Sequence, residues 1–198
     1  MKVTSGQSDR NREALILAAR QLFRERGFAN VTVADIARIA GMTHGAFYSH
    51  FKTKQAVEAL AVSSMVEKAA ADWREVVAAV EKDPLMTLVE GYLSFDHVAP
   101  GDVGCAFAAL GAEMARSSED VRRAAGEALP PQIDVLKGLF ETGDPDRAYR
   151  KALTAYASLV GAATVMQAIS DETVRQEIRL SVVEFVMSLR ASVPPEIR

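Results

Sequence analysis

From Asp9 to Arg26 the apolar residues Leu15, Ala18, Ala19, Leu22 and Phe23 recur at the i, i+3, i+4, i+7 spacing of one helical face, with Arg10, Glu13, Arg20 and Arg24 opposite. Gly27 ends that pattern as a left-handed cap. The next stretch is a dense helix-start signal. Thr32 is a good N-cap, Asp35 completes a capping box, and Val31 with Ile36 forms a hydrophobic staple. Gly41 closes this short helix, and Thr43 caps a third, stapled by Met42 and Phe47. Two short helices around a tight turn at Gly41 predict a helix-turn-helix. The small Ala37 lets the helices approach, Gly41 permits a positive φ, and Phe47 fills the angle between them.

The helical period continues to the end. Lys54 to Lys82 reads as one long helix, apolar at Val57, Leu60, Ala61, Met65, Ala69, Trp73, Val76 and Val80. Further helices are predicted over 85–95, 105–115, 119–128, up to Phe140, 146–169 and 172–191. His97–Gly104 is the clearest loop, and Thr142-Gly143-Asp144-Pro145 a turn. Pro130-Pro131 interrupts the pattern, because proline inside a helix loses a hydrogen bond and clashes with the preceding turn. No strand pattern appears. The expectation is an all-α protein of about nine helices: an amino-terminal helix-turn-helix domain over 1–54 and a larger helical ligand-binding and dimerisation domain over 55–198.

Composition narrows the class. The 198 residues can bury roughly 70 % of the unfolded surface. A single cysteine excludes an internal disulfide and a multi-cysteine zinc site, so no metal or cofactor is expected. No apolar run approaches the roughly 20 residues of a membrane span, and the amino terminus lacks a signal-peptide core. The expected location is the cytoplasm. The net charge of −3 conceals a division. Residues 1–60 hold nine Lys and Arg against five Asp and Glu, a net of +4, and the remainder carries −7. A basic head on an acidic body is suited to a polyanion at one end only.

The run Thr32-Val33-Ala34-Asp35-Ile36-Ala37, Gly41, and Gly45-Ala46-Phe47-Tyr48-Ser49-His50-Phe51-Lys52-Thr53-Lys54 resembles the DNA-binding domain of the tetracycline-repressor (TetR) family. Its most specific piece is Phe-Tyr-x-His-Phe-x-x-Lys. The stretch from Gly104 through Cys105 to Glu113 is similar to a body helix in a subset of that family. Pro130-Pro131 departs from the family's usual long continuous helix. The resemblance implies a three-helix head, a ligand-binding body, a homodimer and a palindromic operator in double-stranded DNA. By resemblance, Tyr48 and His50 contact backbone phosphates or sugars.

The residues support that role independently. A helix N-terminus offers unpaired N–H groups and the positive end of its dipole to phosphate. Thr43, His44, Gly45 and Ala46 open the third helix, where side chains reach base edges in a major groove. Thr32 and Lys54 stand at two further helix starts as phosphate contacts. In the body, Trp73, Tyr92, Phe95, Phe107, Leu110, Met114, Leu136, Phe140, Tyr156 and Met166 are candidates to line an effector pocket, or are simply core. Trp73 and Phe107 lead that set. Ala155, Ser158, Leu159 and Ala162 on one closing helix, with Val183 and Val186 on the other, are candidate dimer contacts.

The favoured function is a ligand-responsive transcriptional repressor, released from its operator by a small molecule. One alternative is a redox- or electrophile-sensing regulator acting through Cys105, whose place at a helix start favours a thiolate; otherwise Cys105 is a small buried hydrophobe. The other is an enzyme with an accessory helix-turn-helix. Glu90, Asp96 and Glu113 form no recognisable catalytic set, so no enzymatic activity is expected.

Overall fold

The computed structural model describes residues 5–94, 98, 104–140 and 143–191. The described helices are α1 (Ser5–Arg26), α2 (Val33–Ile39), α3 (His44–Tyr48), α4 (Lys54–Ala79), α5 (Pro84–Tyr92), α6 (Ala106–Arg116), α7 (Glu119–Ala128), α8 (Pro130–Gly138), α9 (Pro145–Ala168) and α10 (Glu172–Ser188). Among the described residues there is no strand, and no helix is long and apolar enough to cross a membrane. Phe95, Asp96, Thr142 and most of the predicted 97–104 loop lie outside the described residues.

The chain divides into two compact units. The first comprises the described residues up to Lys68 together with Cys105–Leu129, so it holds α1 to α3, the start of α4, α6 and α7. One apolar cluster runs through it, from Leu15, Leu22 and Phe23 of α1 through Ile36 and Phe47 to Val57 and Ala61 of α4 and Leu110 and Met114 of α6. Phe47 is fully buried, with the Phe51 ring centroid 5.5 Å away. The second unit spans 69–104 and 130–198. There α9 packs on α8 and α10, and α10 also meets α5.

Local chemistry sets the element ends. Gly27 and Gly41 adopt φ of +74° and +70°, as their positions after α1 and α2 require. The α2 capping box is complete: Asp35 N–H donates to Thr32 Oγ1 at 3.1 Å, and Thr32 N–H donates to Asp35 Oδ2 at 3.0 Å. Thr32 Oγ1–H adds a third bond to Asp35 Oδ2 at 2.6 Å. These bonds, the Thr32 hydroxyl first, then its backbone N–H, with Arg38 assisting, hold the Asp35 carboxyl below its ordinary pKa. Thr43 caps α3, accepting from Ala46 N–H at 3.2 Å. The break predicted at Pro130-Pro131 occurs: α7 ends at Ala128, and the prolines open α8, where their missing N–H groups cost nothing.

Candidate nucleic-acid interface

The helix-turn-helix presents its polar start to solvent because its apolar side is used up inside. Ile36, Ala37 and Phe47 are buried, whereas Thr43, His44, Gly45 and Tyr48 are exposed and Ala46 and His50 are half-buried. His44 and Tyr48 lie one turn apart with ring centroids 5.2 Å apart, edge to face. Tyr48 is 51 % exposed. The opening residues of α3 and the Tyr48 ring, which contacts His44, are thus accessible together.

Thr32 is exposed at the start of α2, its hydroxyl engaged in the capping box. Lys54, half-buried at the start of α4, has more partners than a bare phosphate contact. Its ammonium donates to the Phe28 carbonyl, pairs with Glu58 Oε1 at 3.4 Å, and stands 5.8 Å from the Phe23 ring centroid. Those two polar contacts engage two of the three ammonium N–H groups.

An exposed helix start on a compact three-helix head, its recognition helix held by a buried aromatic, defines a helix-turn-helix DNA-binding protein. Residues 15–59 match the family described as bacterial regulatory proteins, tetR family. Over that stretch, about a quarter of the chain, the residues carry the amino-terminal domain of that family. The chain is 46 % identical over 54 residues to the transcriptional repressor BepR of Brucella suis, covering 27 % of this chain and 26 % of that protein. It is 40 % identical over 75 residues to the repressor KstR2 of Rhodococcus jostii, covering 38 % and 36 %. These two matches span only about a quarter to a third of the relatives' length. The regulator EthR of Mycolicibacterium smegmatis is 28 % identical over 168 residues, covering 82 % of this chain and 76 % of that one. The solved reduced form of Escherichia coli NemR has the same fold, with a TM-score of 0.76 at 21 % identity over 94 % of this chain and 99 % of that one.

The candidate effector residues separate between the units. Phe107, Leu110 and Met114 belong to the first, packed with the core of the head. Trp73, Tyr92, Phe140, Tyr156 and Met166 belong to the second and are buried, as is Leu136. Trp73 stands edge to face with Tyr92 at 5.8 Å and Tyr156 at 6.1 Å. Gln132 of α8, absent from the sequence-based candidates, joins this group. It is 1 % exposed, its Oε1 accepts from the Tyr156 hydroxyl at 3.3 Å, and its Nε2 has no partner among the described residues. A lone glutamine just after two prolines carries no periodic signal, so only folding reveals it.

Cys105 is the N-cap residue of α6, makes no side-chain cap bond, and is 6 % exposed. A buried thiol meets reagents only when the surrounding structure opens.

The residues expected at a dimer face are covered largely within the protomer. Ala155, Leu159, Ala162, Val183 and Val186 all lie in the interior of the protomer, and the half-buried Ser158 bonds its own helix through Thr154 O. The small side chains of α9 permit close approach within the protomer, to α8 and α10. Exposed apolar residues run along the other side: Leu153, Ala157, Gly161 and Val165 at four-residue intervals on α9, and Val174, Leu180 and Phe185 on α10.

Proposed function

We propose that this chain is a ligand-responsive transcriptional repressor that binds a palindromic operator as a homodimer in the cytoplasm and leaves it when a small molecule binds. The observation that carries this reading is the accessible start of α3, with Thr43, His44, Gly45 and Tyr48 exposed within residues 1–60, whose net charge is +4. Thr43, His44, Gly45 and Ala46 read base edges. Thr32, Tyr48, His50 and the third N–H of Lys54 hold the backbone. Residues 1–54 are the DNA-reading part and 55–198 the ligand-binding and dimerising part.

Two-fold recognition needs a second copy, and the exposed stripe Leu153, Ala157, Gly161 and Val165 with Leu180 and Phe185 is the surface that suits it. The effector site is assigned to the Trp73, Tyr92 and Tyr156 cluster, where the Gln132 amide supplies a hydrogen-bond donor in apolar surroundings. Band-shift titration against a duplex library tests the whole reading. The expected result is one enriched palindrome, bound two protomers per site, with affinity falling steeply as salt rises. Equal binding to every sequence contradicts it.

Cys105 gives a second reading, sensing of an electrophile, supported by its place at the start of α6. Stoichiometric alkylation of Cys105 that leaves DNA affinity unchanged ends that reading.

A further inference from the structure

The turn after α1 is held by two side chains remote from it in sequence. Phe28 is buried, its ring edge-on to Phe23 at 5.1 Å. Its N–H donates to Glu113 Oε2 of α6 at 2.5 Å, across 85 residues, and its carbonyl accepts from Lys54 of α4. Gly27 makes the approach possible. A Cβ there would lie 2.9 Å from the Glu113 carboxyl carbon and nearer still to Oε1. Val31 N–H then bonds back to Phe28 O at 3.4 Å, and the next residue, Thr32, caps α2. Only three residues, 29–31, therefore lie between the anchored amide of Phe28 and the N-cap of α2, and α3 follows through the Gly41 turn.

Apolar packing alone does not fix this register. Leu110 and Met114 of α6 share the core of the head, but apolar contact is non-directional and tolerates sliding. A carboxylate bonded to a backbone N–H has a preferred length and angle, and a shift of about an ångström breaks it. We propose that Glu113 is a positioning residue for DNA reading: by bonding the Phe28 N–H over Gly27 it fixes the helix-turn-helix on α6, and it governs operator affinity without touching DNA. This rests on the regulator reading above.

The test uses the full chain with Glu113→Gln, Glu113→Asp and Glu113→Ala. Affinities are measured for a duplex selected by the wild type from a random library and for a random-sequence duplex, with exchange of the Phe28 amide followed in parallel. Gln keeps an acceptor at the right reach, and its affinity is expected within about threefold of wild type. Asp is one methylene short and Ala has no acceptor. Both are expected to bind the selected duplex about tenfold or more weakly, to lose less on random sequence, and to exchange the Phe28 amide faster. If Ala does not fold, Asp against Gln decides: both keep a polar side chain, and the lower helical preference of Asp acts on stability, which the amide exchange and the random-sequence duplex read separately from operator affinity. Wild-type affinity in Asp and Ala, or an equal loss in Gln and Ala, overturns the proposal. A wild-type protein that selects no duplex overturns the regulator reading and this inference with it.

Discussion

Alanine at Gly41 and at Gly27 separates two costs that coincide at only one of these positions. Both glycines are left-handed, at φ +70° and +74°. At Gly41 an added Cβ meets nothing within 4 Å, so Gly41→Ala carries only the left-handed backbone penalty, about 1–2 kcal/mol. At Gly27 the same penalty applies, and the Cβ also displaces the Glu113 carboxylate from the Phe28 N–H. A hydrogen bond to a charged group is worth about 1.5–3 kcal/mol, taken at the low end because Glu113 is half-buried. Gly27→Ala should therefore cost about 2.5–4 kcal/mol. In a Glu113→Ala background the obstacle is already gone, and Gly27→Ala should add only about 1–2 kcal/mol, the Gly41 value. Urea unfolding followed by circular dichroism measures all four variants, with m-values checked for constancy. Equal costs at the two glycines, or strict additivity of Gly27→Ala and Glu113→Ala, would refute the steric part of the reasoning.

His44→Ala should change which duplex is selected, whereas Lys54→Ala should weaken all sequences similarly and lower the salt-dependence slope by about 1, measured by band shift at several salt concentrations. Leu180→Glu with Phe185→Glu should give a folded monomer by sedimentation, with operator affinity lost. The buried Leu159→Ala should instead destabilise the fold by about 2–5 kcal/mol in urea unfolding. Asp83 caps α5 and pairs through both carboxylate oxygens with Arg190, whose guanidinium first and the Met86 N–H second hold its carboxyl below the ordinary value of 3.8. Its contribution is therefore full above the unfolded value and is lost as pH falls through the lower folded one. Asp83→Asn should flatten the acid side of the stability profile below about pH 4 and leave its slope above pH 5 unchanged, as followed by melts across pH.

Residues that act on near neighbours were legible in the chain. The capping box of Thr32 and Asp35 is a four-residue object, and so is the Thr43 cap of α3; both form as their spacing predicts. The turn glycines likewise answer to backbone angles alone. Periodicity gives a helix an apolar stripe without saying which neighbour covers it. Ala155 and Leu159 meet their own protomer, and the exposed Leu153 and Val165 lie on the opposite side of α9. Phe107 and Trp73 looked alike as aromatic residues of amphipathic helices, yet they belong to different compact units.

The sequence by itself determined the helical class, the position of the helix-turn-helix and the residues at the start of α3, because caps, turns and the 3.6-residue period depend on contacts within one or two turns. Tertiary structure decided the rest. It placed the Glu113 carboxylate on the Phe28 amide 85 residues away, and it brought the orphaned Gln132 amide to Tyr156 beside Trp73. It also turned the small-residue side of α9 inward. Each of these joins groups distant in the chain, where closure depends on how helices pack rather than on what any one of them prefers.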